Sequence, residues 1–284
     1  MIQVATHTAE LKKLIEINKS KGASIGFVPT MGALHAGHLT LVRSASKEND
    51  VVVVSIFVNP TQFNDKKDLE KYPRTLDSDL LLLSGSGANV VFAPGVEDIY
   101  PDGDDKGADI DLGGLDMYME GAFRPGHFKG VAQVVKRLLE IVTPDRLYMG
   151  QKDFQQFTII QYMLDSLKIN TKLVVCPIVR ETTGLAMSSR NARLSSPTRA
   201  AAGIIFRVLK SAKRQSASKS PQEICETAMK KLKSQPFDPE YFIIVDGNTL
   251  QPVDDLGSTN YAVACVAVWA EGVRLIDNLI IKKD

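Results

Sequence analysis

Val51-Val52-Val53-Val54-Ser55-Ile56-Phe57-Val58 narrows the folds open to this 284-residue chain more than any other segment. A β-branched run without polar alternation cannot present one face to water. It therefore reads as a strand covered on both faces, the position strands hold in a parallel sheet. The surrounding segments alternate in the same sense. Strands are predicted over residues 24–28, 89–93, 145–149 and 171–177. Helical spacing is predicted over 36–47, 75–83, 131–142 and 154–167. This order is α/β and implies a doubly wound parallel sheet, a Rossmann-like architecture, with ligands bound beyond the carboxyl ends of the strands.

Past Val179 the pattern changes to two long helices followed by strands over 241–246, 261–270 and 273–281. The expected organisation is a catalytic domain over 1–178 and a smaller C-terminal α+β domain over 179–284. Ser220-Pro221-Gln222-Glu223 reads as a capping box with proline at the first helical position, so a helix is predicted to start there. Residues 211–219 before it read as a polar connector. No internal repeat is present.

Pro29-Thr30-Met31-Gly32-Ala33-Leu34-His35-Ala36-Gly37-His38 falls where the strand at 24–28 gives way to a helix. Backbone N–H groups at a helix start are unpaired and the helix dipole is positive there, so the place suits phosphate. Gly32 and Gly37 allow a nucleotide close to the main chain. His35 and His38, three apart, share a face. An H-x-x-H pair can also hold zinc or simply cap a surface helix. Zinc is disfavoured, because the chain has only four histidines and its three cysteines form no C-x-x-C.

Three further segments follow predicted strands. Asn59-Pro60-Thr61-Gln62-Phe63 offers amides to a small polar substrate. Gly150-Gln151-Lys152-Asp153 puts a cation at a helix start, which is unfavourable unless an anion lies there. Met187-Ser188-Ser189-Arg190-Asn191 combines two hydroxyls with a guanidinium that can bind phosphate bidentately. The common nucleotide fingerprints are absent. Gly85-Ser86-Gly87 follows a helical leucine run and terminates it, and the 121–127 segment lacks the lysine and hydroxyl residue of a P-loop.

Composition sets the outer limits. With 44% hydrophobic and 24% charged residues the chain is of the soluble globular type, and a net charge of +1 gives no global field for nucleic acid or membrane. The basic residues around 207–233 read as a solvated helix face. Cys176, Cys225 and Cys265 are widely spaced and fit free thiols in a reducing cytoplasm. The first residues show no basic region followed by an apolar stretch, so a cytoplasmic protein is expected.

In combination, the 29–38, 57–63 and 184–191 segments, Tyr72-Pro73-Arg74-Thr75, Arg124-Pro125-Gly126-His127-Phe128 and Gly150–Gln156 resemble the pantothenate synthetases (pantoate–β-alanine ligases). These belong to the nucleotidyltransferase superfamily with the His-x-Gly-His motif. The resemblance implies that ATP and pantoate form pantoyl-adenylate and pyrophosphate, after which β-alanine displaces AMP. It assigns Met31 to His38, Gly150 to Asp153, Val179 and Met187 to Arg190 to ATP. His38 is then the proton donor and His35 a phosphate contact, with Lys152 and Arg190 completing the catalytic set. Gln62 is assigned to pantoate and β-alanine, and Gln156 to pantoate. Asn59, Glu120 and Arg124 resemble substrate-pocket positions. Mg²⁺ is implied with ATP, with Asp77 or Asp79 as its protein contact, because Ser78 fills a slot that can be acidic. A homodimer is also implied. Because the Met187–Arg190 loop lies just past the boundary near Val179, the C-terminal domain is expected to act as a lid that brings Ser188, Ser189 and Arg190 onto the phosphates. The alternatives are a nucleotidyltransferase that adenylates another small acceptor and a non-catalytic nucleotide-binding regulator.

Overall fold

The computed structural model describes residues 2–63, 69–101, 103 and 110–284. Two compact units result, one comprising Met1–Gly150 and Ile159–Cys176, the other Gln151–Thr158 and Pro177–Asp284. None of the described helices is long and apolar enough to cross a membrane.

The first unit is built on a six-stranded parallel sheet in the order β1-β4-β3-β2-β5-β6. Its strands are β1 (Gln3–Ala5), β2 (Ile25–Thr30), β3 (Val51–Ile56), β4 (Val90–Phe92), β5 (Arg146–Gly150) and β6 (Lys172–Cys176). The valine run is β3, flanked by β2 and β4, and Val52, Val53 and Val54 are wholly buried. Val28, Val52, Val54, Val91 and Tyr148 pack with Leu39, Val42 and Ala45 of helix Ala36–Glu48. Phe27, Val53 and Leu147, the alternate positions, are equally inaccessible to water. Covering both faces is what removed polar alternation from the sequence.

Strand order reverses between β2 and β5, which lie side by side with Phe27 opposite Leu147. In an open α/β sheet that reversal leaves a crevice at the carboxyl ends of the strands. Thr30 ends β2 and Gly150 ends β5. At the opposite end the Tyr148 hydroxyl donates to Glu48 at 2.9 Å and accepts from Asn49 at 2.8 Å, fastening β5 to the end of helix Ala36–Glu48. Burial, aided by the Glu48 carboxylate, pushes that phenol up to about 12.

The second unit carries a three-stranded antiparallel sheet, β7 (Asp238–Asp246), β8 (Tyr261–Ala270) and β9 (Val273–Lys283). Helices Ile204–Gln215 and Pro221–Lys233 pack on it, with Val208, Leu209, Ile224 and Leu232 meeting Ile244, Ala264 and Val266 in one core. All three cysteines are free thiols, two of them buried.

Several elements differ from the sequence-based expectation. Strand β1 and helix Thr8–Lys19 were not predicted. The helix predicted from 131 begins at His127, and the connector predicted from 211 is still helical as far as Gln215. The Ser220 capping box is present as expected. Its hydroxyl accepts from the Glu223 N–H at 3.3 Å, while the Glu223 carboxylate accepts from the Ser220 N–H at 2.9 Å. Ser220→Ala is expected to lower stability by about 1 kcal/mol, read as a shift of the urea midpoint at constant m-value. An unchanged midpoint would show that this cap contributes nothing to the folded state.

Candidate active site

The loop from β2 to helix Ala36–Glu48 owes its shape to a short-range conflict and a long-range solution. Gly32 and Ala33 both have left-handed backbones, φ 80° and 49°. For alanine this conformation costs about 1–2 kcal/mol. The offset comes from Asp79, on helix Leu76–Leu83 and only 2% exposed. Its Oδ2 accepts from the Ala33 N–H at 3.0 Å and its Oδ1 from the Leu34 N–H at 2.7 Å, while the Thr75 hydroxyl donates to Oδ2 at 3.2 Å. Hydrogen bonds to a charged group contribute about 1.5–3 kcal/mol each, enough to outweigh the strain. A side chain at Gly32 would meet Asp79 Oδ2 at 3.1 Å, so the glycine is needed for the approach as well as for its φ.

His35 is the N-cap of the helix and His38 its third residue. The His35 Nδ1 accepts from the Gly37 N–H at 3.1 Å, and the His38 Nδ1 accepts from the His35 N–H at 3.2 Å. A ring nitrogen that accepts carries no proton. This pattern assigns both imidazoles to the neutral tautomer with hydrogen on Nε2. The rings lie 4.1 Å apart at 37°. Two Nε2–H donors are thereby fixed near the positive end of a helix dipole.

Asn59 is buried, and its amide ties the loop to segments distant in sequence. Its Oδ1 accepts from the Tyr100 hydroxyl at 3.0 Å, and its Nδ2 donates to the Gly130 carbonyl at 3.2 Å. Gly130 lies inside helix His127–Val142 because a Cβ there would stand 2.4 Å from the Thr61 carbonyl oxygen. Gln62, in the short turn Pro60–Gln62, directs its side-chain amide toward the Met31 sulfur. His127 joins two predicted substrate residues, donating Nδ1–H to the Gln62 carbonyl at 2.7 Å and accepting at Nε2 from Arg124 at 3.0 Å. A carbonyl only accepts and a guanidinium only donates, so His127 is assigned as neutral. Glu120 is buried on the short helix Met119–Phe123.

Gly150 belongs to the first unit, and the remaining predicted ATP and pantoate residues belong to the second. Lys152 Nζ lies 3.5 Å from Asp153, just before helix Phe154–Ser166, which carries Gln156. Val179 and Met187 are brought together, the Met187 N–H donating to the Val179 carbonyl at 2.9 Å. Ser188 caps the turn Ser189–Arg193, and buried Asn191 pins it by donating to Glu181 at 2.8 Å and to the Ala186 carbonyl at 3.0 Å. Arg180 forms a two-pronged pair with Asp277, whose carboxyl burial raises above the usual carboxylate range against the pull of the arginine.

His127 stood in a motif without a role of its own, and Asp79 as an anchor, Arg180, Asp277 and Asn278 were not singled out from sequence. The available signal for the last two was Asp277-Asn278 itself, a polar pair interrupting the otherwise apolar strand from Leu275 to Ile281. Among the described residues no group of three or more His, Cys, Asp or Glu side chains could hold a metal ion. Asp79 has both oxygens committed to N–H donors, and Asp77 is exposed on the same helix. These two carboxylates do not by themselves form a closed cation cage.

A family model described as pantoate-beta-alanine ligase matches residues 3–280. Pantothenate synthetase of Bacteroides fragilis is 50% identical over 275 residues, 96% of this chain and 97% of that protein. Its counterpart from Phocaeicola vulgatus is 52% identical over 275 residues, covering 95% and 96%. A pantothenate synthetase structure from Thermus thermophilus matches with a TM-score of 0.92 at 41% identity, over 99% of this chain and 100% of that one. The pantoate-beta-alanine ligase of Francisella tularensis, complexed with beta-gamma ATP and beta-alanine, matches with a TM-score of 0.82 at 37% identity, over 99% and 98%. Identity of this extent over nearly the whole length, on the same α/β fold, means that the chain belongs to the pantoate–β-alanine ligases, the pantothenate synthetase family.

Proposed function

We propose that the ligation of pantoate to β-alanine runs on this chain through the donors fixed at the start of helix Ala36–Glu48. The reaction consumes ATP. A pantoate carboxylate oxygen attacks the α-phosphorus and pyrophosphate leaves, giving pantoyl-adenylate. The amine of β-alanine then attacks the activated carbonyl carbon, AMP leaves with the bonding pair of the C–O bond, and the amine gives up a proton to form the amide. A carboxylate resists an amine until it has such a leaving group, which is why the first step is spent on adenylation.

One observation carries the assignment of roles. Both His35 and His38 accept main-chain N–H groups at Nδ1, so both hold their hydrogen on Nε2. Adenylation builds negative charge at the phosphate, and fixed donors aimed at developing charge lower such a barrier by roughly 10²–10³ in rate each. His38 is proposed as the proton donor and His35 as a phosphate contact. The motifs extend the ATP assignment to Gly150, Gln151, Lys152, Asp153, Val179 and Met187 to Arg190. Gln62 is assigned to pantoate and β-alanine and Gln156 to pantoate.

Arg124 contacts substrate in this reading, with His127 setting its position. Asn59, its amide bonded to Tyr100 and Gly130, is assigned to holding the turn that carries Gln62 rather than to touching ligand. Mg²⁺ is proposed to enter on the phosphates of ATP, neutralising their charge. Asp79 is assigned to the loop and not to the cation, and no step depends on a protein-held metal. The resemblance also carries a cytoplasmic homodimer into this proposal.

In a mixture of ATP, Mg²⁺, pantoate and β-alanine, AMP is expected to accumulate over many turnovers only when both small substrates are present. AMP formation indifferent to the amine would sink the ligase reading. His38→Ala is expected to lower kcat by at least about 10²-fold with an unchanged thermal melt, since a transition-state donor is removed from a partly exposed helix start. Near-normal kcat in the variant would remove His38 from the mechanism.

A further inference from the structure

Asp277 and Asn278, neighbours on β9, are 4% and 1% exposed and have no part in the chemistry above. A carboxylate so buried needs compensation. Arg180 supplies it with two bonds, Nη1 to Oδ2 at 2.5 Å and Nη2 to Oδ1 at 2.9 Å. The same guanidinium donates to the Gly184 carbonyl at 3.2 Å and lies 3.6 Å over the Phe206 ring. Arg180 is also bridged to Ala186, next to the Met187–Val179 hydrogen bond. Asp277 therefore fixes the base of the arm from which Met187 to Arg190 emerge.

Asn278 does the corresponding work on another segment. Its Nδ2 donates to two successive main-chain carbonyls, Gln151 at 2.9 Å and Lys152 at 3.0 Å, and its Oδ1 accepts from Gln151 Nε2 at 3.3 Å. Two hydrogens on one planar nitrogen meet two adjacent carbonyls, which neither a carboxylate nor a hydroxyl can reproduce. The Asn278 N–H donates to Asp277 Oδ1 at 2.8 Å, coupling the two residues. A buried ion pair is weak evidence of stabilisation in itself, because apolar replacements often serve as well. What this arrangement provides is registration of the residue 151–152 segment and the residue 179–190 arm to one strand.

We propose that Asp277 and Asn278 are positioning residues for ATP use, holding Lys152 and the Met187–Arg190 segment in register without touching substrate. This rests on the assignment of those two segments to ATP. Misplacement of catalytic groups by about an ångström from a remote change can cost about 10²-fold in rate. The loss should fall on the adenylation step.

The test compares Asn278→Ala and Asp277→Asn with wild type in two assays, beside a thermal melt of each. One assay follows pyrophosphate release with varied ATP, and the other follows β-alanine-dependent consumption of preformed pantoyl-adenylate. The expected result is a fall in kcat/KM for ATP of about 10- to 100-fold, with KM for β-alanine on the preformed adenylate changed less than about twofold. Asn278→Gln, which keeps the amide on a longer arm, should recover part of the loss, and Asn278→Asp none. If Asn278→Ala fails to fold, Arg180→Lys, which keeps the charge but loses the two-pronged bond, is measured in its place with the same split expected. Equal losses in both assays, or no loss in either, would overturn the proposal. Lys152→Ala is the control. If it leaves pyrophosphate release intact, the assignment of that segment to ATP is what fails. If it cripples release while Asn278→Ala does not, the positioning proposal alone is wrong.

Discussion

The carboxylate of Asp79, closed over the N–H groups of Ala33 and Leu34, is the contact on which the rest of the first unit's candidate site depends. Left to local preferences, the segment after Thr30 would not hold two consecutive residues at positive φ. Two charge-assisted hydrogen bonds from one buried side chain outweigh that cost. Once Gly32 and Ala33 are set, His35 falls at the N-cap and its ring takes the Gly37 N–H. His38, one turn on, then takes the His35 N–H. The tautomers of both rings follow from a backbone geometry that a helix far downstream in the sequence enforces.

The second unit uses a related device. Buried Asp277 is neutralised by Arg180, and its neighbour Asn278 spends both amide hydrogens on the carbonyls of Gln151 and Lys152. In each unit a polar segment suited to phosphate is held by a side chain distant in sequence that is itself buried. The half-buried groups, among them the imidazoles of His35 and His38 and the Lys152 ammonium, are then positioned by buried side chains and not by local sequence alone. Such support is what keeps donors aimed at charge that appears only in the transition state.

The sheet was legible because its signal is local. An unalternating valine run means burial on both faces, and the 220–223 capping box announces a helix start through adjacent residues. Helix Thr8–Lys19 was not legible, since only Leu11 and Ile15 are buried and its first turn relies on Glu10 reaching back to the N–H groups of Thr6 and His7. The first turn of helix His127–Val142 was hidden by Gly126 and Gly130, which read as loop. Gly126 is left-handed just outside the helix, and Gly130 is demanded by the Thr61 carbonyl across a tertiary contact. The site residues were legible as motifs, but their support was not. Asp79 reads as an acidic residue in a helical first turn, and nothing near it in sequence identifies Ala33 and Leu34 as its partners.

The most direct test of this account is pyrophosphate release by Asp79→Asn across a Mg²⁺ titration. An amide in that position offers one acceptor oxygen where the loop needs two, and turns an NH₂ toward an N–H. The account predicts a folded protein whose adenylation rate is reduced by about 10²-fold and stays reduced at every Mg²⁺ concentration, because what was lost is the shape of the loop. Recovery toward the wild-type rate as Mg²⁺ is raised would instead mark Asp79 as a cation ligand and contradict its role as the anchor of the site.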